Sequence, residues 1–214
     1  MNIKNLSILI AVIAMFMLTG AQCSFVAKSG SGTGSGDQEE ENRSTLVVVI
    51  RDGQLIDGPV QGVRYVSGSV SGITGAAGEF QYEVDNTVRF FIGDIALGEA
   101  TPGKAVITPL DLVPGGTLDT PAVINIARLL QSLDAVPGDD VISVPASLRS
   151  AAVHSNGSVA ASIRFLDFAD ETAFVNAASQ LIATLTASYP FTAVLVDADS
   201  ARQHLSQSVK RLNP

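Results

Sequence analysis

Few residues in this chain can do covalent or metal chemistry. Two are histidines: His154 in "VHSNGS" and His204 in "SARQHLSQSVKRL". A metal centre needs several nitrogen, sulfur or carboxylate ligands converging, and these histidines lie far apart with one cysteine in the whole chain. His154 reads as an exposed loop residue and His204 as a half-buried residue at a helix boundary. Asp134, Asp139 and Asp140 in "LDAVPGDDVISV" offer hard oxygen ligands of the kind calcium takes. Their spacing lacks the 1, 3, 5 alternation of an EF-hand loop, so they read as weak calcium candidates in a solvated turn.

A serine nucleophile needs a base held by a third group. "VSGSVSG" is serine-rich, but Gly68, Val70 and Gly72 leave no Gly-x-Ser-x-Gly, and a strand with a turn fits it better. "SGSGTGSG" precedes no Lys-Ser/Thr and follows no strand, so it is not a phosphate loop. With no Trp and three Tyr, a sugar-stacking cleft has little material. No catalytic residue and no cofactor is expected.

The single cysteine carries the most information. Residues 1–22 read as a secretory signal: Lys4, then the uncharged apolar run Leu6 to Leu18, then Gly20 and Ala21. About 13 residues fit a signal core and fall short of the roughly 20 that span a bilayer. Cys23 follows directly, and one cysteine makes no intramolecular disulfide. It is therefore either a free thiol or a modified one. Residues 23–45 form a Gly/Ser/acidic tether that behaves as flexible coil. Without the signal, 12 basic residues face 21 acidic ones, a balance that disfavours nucleic acid, whose binding depends on neutralising phosphates.

Residues 46–113 read as β. "TLVVVI" is a short run bounded by Arg51–Asp52–Gly53; "GVRYVSG" puts Val63, Tyr65 and Ser67 on one side; "EFQYEV" puts Phe80, Tyr82 and Val84 on one side. Glycines at turn spacing favour a sandwich or small barrel. Residues 114–214 read as mostly helical. Thr120–Pro121 opens a helix with Val123, Ile126, Ala127, Leu130 and Leu133 on one face. "ASLRSAAV" reads as a short helix, "SIRFLDF" as a strand, and Asp170 as the cap of a helix with Phe174, Ala178, Leu181 and Leu185 inward. Asp197 or Asp199 caps a last helix with Ala201, Leu205, Val209 and Leu212 in a stripe. The fold class is α+β: an N-terminal antiparallel β-sandwich followed by helices.

"DGPVQGVRYVSGSVSGITGAAGEFQYEVDNTVRFFIGDIALGEA" resembles a module of a poorly characterised family of exported and lipid-anchored bacterial proteins. Its pattern is G-x-V-x-G-V-x-Y, then G-x-T, a G-x-F-x-Y hairpin, and V-x-F-x-I-G-x-x-x-L-G. "ITPLDLV…INIARLLQSLD" and "DADSARQHL" extend the likeness over roughly residues 57 to 207. The resemblance implies a prealbumin-like (carboxypeptidase regulatory-like) β-sandwich and a place in the cell envelope, and no reaction. Members often follow "LLQSLD" with an Asp/Gly/Asn-rich turn; here Asp134, Asp139 and Asp140 remain but the alternation is broken.

Lipoprotein signals have Leu three residues before the cysteine and a small residue just before it; here stand Gly20 and Gln22. Ser24 resembles the outer-membrane sorting choice. The expected function is a lipid-anchored outer-membrane protein with a non-catalytic binding, adhesion or assembly role, its partners the membrane and another envelope component. Two alternatives are a soluble periplasmic or secreted binding protein, released after Thr19–Gly20–Ala21, and a hydrolase with an unrecognised serine.

Overall fold

A glycine decides where the first strand lies. In the computed structural model, which describes residues 48–155 and 157–212, β1 is Ile50–Leu55 and runs through Arg51–Asp52–Gly53 instead of ending there. Val48, Val49 and Ile50 are exposed. A Cβ on Gly53 would sit 2.6 Å from Cζ of Phe80 and 2.7 Å from the Lys104 carbonyl oxygen. The glycine admits a ring and a neighbouring backbone; it does not turn the chain.

The β region continues with β2 (Val60–Gln61), β3 (Arg64–Ser67), β4 (Val70–Ile73), β5 (Glu79–Glu83), β6 (Thr87–Ile92), β7 (Ile95–Ala96), β8 (Thr101–Pro102) and β9 (Val106–Ile107). Alternation places side chains as expected: Val63, Tyr65, Ser67, Phe80 and Tyr82 are buried, and Val84 is partly so. One sheet has the order β5-β1-β9, antiparallel at β1–β5 and parallel at β1–β9. The larger one runs β4-β3-β6-β7, antiparallel throughout, with β8 also on β6. The inward rings of both sheets meet at Phe80, which lies edge-on to Phe90 at 5.1 Å and tilted against Tyr65 at 5.8 Å.

Next comes α1 (Pro121–Ser132). Thr120 holds the N-cap position and proline the first helical one, but the Thr120 side chain makes no capping bond; its hydroxyl oxygen accepts from the Thr117 backbone N–H at 3.0 Å. The expected stripe of Val123, Ile126, Ala127, Leu130 and Leu133 is fully buried. So are Ile124, Leu129 and the polar Asn125 and Arg128, because α1 is enclosed on several sides. Arg128 is satisfied there: Nε donates to the Val196 carbonyl at 2.7 Å, and Nη1 donates to Asn125 Oδ1 and Glu171 Oε1.

A short strand, β10 (Ile142–Ser143), follows and pairs in parallel with β2, Ile142 opposite Val60. The chain then forms α2 (Ala146–Ala151), α3 (Gly157–Arg164), α4 (Glu171–Leu185) and α5 (Ala198–Leu212). The expected strand "SIRFLDF" is not one. Its first residues close α3, whose Val159 and Ile163 are buried four residues apart, a helical interval, while Phe165 is 67% exposed. Asp170 caps α4 by accepting from the Ala173 N–H, and Phe174, Ala178, Leu181 and Leu185 face inward. Asp197 rather than Asp199 caps α5, its Oδ1 accepting from the Asp199 and Ser200 backbone N–H groups. Hydrogen bonds from Ser200 hold that carboxyl below the ordinary range. Ala201 and Leu205 are buried on α5, Val209 is partly buried and Leu212 is exposed.

The described residues are thus α+β: mostly antiparallel sheets first, then five helices. Residues from both parts share one apolar core, in which Leu55, Phe80 and Phe90 meet Leu129, Leu130, Phe174 and Leu181. Each such side chain contributes about 1.5–3 kcal/mol on burial.

Candidate functional site

A cleft of about 750 Å³ opens beside β7, within the roughly 300–1,000 Å³ of ligand sites. Its apolar lining includes Ile95, Leu112, Ile126 and Ile163; Asp94, Glu99, His154, Arg164 and Asp167 also line it. The β6–β7 turn places Asp94, and Gly93 makes that turn fit. Its φ is +59°, and a Cβ there would come within 2.0 Å of the Ala152 carbonyl oxygen, which accepts the Asp94 N–H at 2.8 Å. Asp94 Oδ2 then accepts the His154 backbone N–H at 2.8 Å and lies 3.2 Å from its Nδ1. That backbone hydrogen bond, followed by the side-chain one, holds the Asp94 carboxyl below its ordinary value. Asp167 closes a turn through the Ala169 N–H at 2.8 Å. Among the described lining residues none is a serine, threonine or cysteine. The walls supply apolar contact and fixed charge.

Away from the cleft, α5 and the turn after β1 build a second polar cluster. Asp57 is wholly buried, with Oδ1 3.0 Å from His204 Nδ1 and Oδ2 accepting from Gln131 Nε2 at 2.9 Å. The imidazole is 36% exposed. The Asp57 hydrogen bond raises the His204 pKa above its ordinary value, against the opposing effect of burial. Ser208, one turn further along α5, accepts the Gly58 backbone N–H at 2.9 Å. Gly58 has φ +67°, and a Cβ there would press on the Asp140 carbonyl oxygen at 2.9 Å and on the His204 ring at 3.4 Å. Serine, histidine and aspartate thus meet, but the Ser208 hydroxyl oxygen is occupied by the turn and the residue is buried. The cluster ties α5 to the β region instead of presenting a nucleophile.

The expected residues are dispersed among these places. His154 stands at the cleft and His204 on the buried carboxylate. Asp134 Oδ1 accepts from the Val136 and Ser143 backbone N–H groups, and Asp139 Oδ1 accepts from that of Val141. Asp140 faces Arg211 at 3.9 Å. The three therefore serve their own turn and a surface ion pair. Among the described residues, no group of three or more histidine, cysteine or acidic side chains is placed to hold a metal ion. The serine-rich stretch is the β3–β4 hairpin, with Ser69 bonded to Glu83 Oε2. Cys23, together with the signal and tether, lies outside the described residues.

Sequence reasoning did not single out Asp57, Asp94 or Arg128. Only "DG" at 57–58 carried a local signal, and it reads as an ordinary turn. No family model, curated protein or solved structure matches the chain. No helix among the described residues is long and apolar enough to cross a membrane.

Proposed function

We propose that this chain is a lipid-anchored protein of the cell envelope, sorted to the outer membrane, that acts by binding instead of catalysis. The observation that carries the proposal is Cys23. It is the sole cysteine, it follows the apolar run directly, and a few residues later, from Lys28 to Ser44, comes a Gly/Ser/acidic stretch without an apolar side chain to bury. An acyl chain on Cys23 gives that stretch a purpose as a stalk. In this reading the β5-β1-β9 sheet and the β4-β3-β6-β7 sheet form a prealbumin-like sandwich, supported by the ring packing of Phe80 on Phe90 and Tyr65. The cleft beside β7 is the recognition site, supported by its volume and its mixed apolar and charged lining.

Palmitate labelling of cells expressing the chain tests the anchor. Label is expected in the wild type and absent from Cys23→Ser; no label, or equal label in both, overturns it. The released alternative is favoured by the small residues Thr19–Gly20–Ala21. Mass spectrometry of the mature N-terminus separates the two: acylated Cys23 supports the anchor, and free Gln22 supports release. Cross-linking in intact cells tests the cleft. Ala169→Arg, which puts charge on its exposed wall, is expected to lose the cross-linked partner while keeping a wild-type unfolding midpoint. Labelling by a fluorophosphonate probe would establish a serine hydrolase instead.

A further inference from the structure

We infer that α5 is held to the β region by a protonation-dependent latch, in which His204 as imidazolium closes on the buried Asp57 carboxylate. Three observations carry this. Asp57 is wholly buried, and its two side-chain partners come from two different helices, Gln131 on α1 and His204 on α5. A buried carboxylate left with only neutral donors is costly, so the state of the imidazole decides how well α5 seats. The other contacts that seat α5 do not involve the imidazole. Ala201 and Leu205 pack on Val123, Ile124 and Ala127, Arg202 donates to the Leu118 carbonyl, and Ser208 accepts from Gly58.

The groups facing His204 all bear on its charge. Asp57, on the turn after β1, favours imidazolium through its hydrogen bond and its charge. Asp140, before β10, favours it by charge, while Arg211 on α5 itself opposes it. Gln131 on α1 brings an uncharged amide to the same carboxylate. Docking thus raises the imidazole's pKa above its value in the freed helix. A raised pKa means that the latch is fully closed below the freed value and weakens as pH rises through the docked one. The neutral imidazole still donates through Nδ1–H, but the counter-charge is gone.

Hydrogen exchange of α5 amides in the full chain, corrected for the intrinsic pH dependence of exchange, reads the latch directly. Between about pH 5 and pH 9, the opening of α5 is expected to rise about tenfold for each pH unit by which docking lifts the imidazole. His204→Gln keeps a donor but no charge, and its α5 opening is expected to stay at the alkaline level across the range. A flat wild-type profile, or a His204→Gln profile with the wild-type slope, overturns the proposal. The NMR titration of the His204 Cε1–H is expected to have its midpoint above that of a free imidazole; a midpoint at or below it also overturns the proposal. Asp57→Asn is expected to flatten the exchange profile. Should that variant not fold, His204→Gln and the NMR midpoint decide alone.

Discussion

The chain contains two aspartate–histidine pairs with nearly the same contact and very different surroundings. His204 Nδ1 lies 3.0 Å from Asp57, and His154 Nδ1 lies 3.2 Å from Asp94. Asp57 has no exposed surface, whereas both partners of the cleft pair are 47% exposed. Distance therefore does not rank the pairs. Water screens and competes for an exposed ion pair, so its net worth is small. A buried carboxylate depends on its partners, and removing one leaves a charge that water cannot reach.

That difference can be broken by mutation. The largest effect is expected for His204→Ala, which leaves Asp57 with Gln131 alone. We expect a loss of about 2–3 kcal/mol, below the fully buried case because the imidazole is partly exposed. It would be read as a lower urea midpoint with an unchanged slope. Next comes Gly58→Ala, which alters no charge but needs a left-handed backbone and crowds the Asp140 carbonyl and the His204 ring. About 1–2 kcal/mol is expected from the backbone alone, and a displaced imidazole should also blunt the pH dependence of unfolding. Glu171→Gln tests an intermediate setting, since Arg128 is buried and Glu171 is 57% exposed. Loss of about 1 kcal/mol is expected, because the amide keeps an acceptor for the guanidinium. The smallest effect is expected for His154→Ala, below about 0.5 kcal/mol. A His154→Ala cost equal to that of His204→Ala would break the comparison.

The local parts of the fold were readable in residue order. "EFQYEV" alternates and "ETAFVNAASQLIATL" repeats at helical spacing, and each forms the element its period demands. Where two periods fit, the sequence misled. "SIRF" alternates, but Ile163 belongs with Val159 on α3, and packing against α4 chooses between the patterns. Gly53 looked like punctuation because its reason, the Phe80 ring, sits on another strand. The polar clusters were least legible for the same cause. Asp57 and His204 are 147 residues apart, and Asp94 and His154 are 60 apart, so no short window contains both members. His154 and His204 were noticed for their type, but the aspartates that define them were not.

The turn at Asp57–Gly58 has a consequence in time as well as in space. Its backbone N–H is completed by Ser208, 150 residues later, and its carboxylate by Gln131 and His204. A chain synthesised or threaded through a pore from its N-terminus presents this turn early and its partners late. Until α5 emerges, the Asp57 carboxylate lacks His204 and the Gly58 N–H lacks Ser208. Such long-range closure slows folding. The turn between the first two strands is thus completed only by the last helix of the described residues.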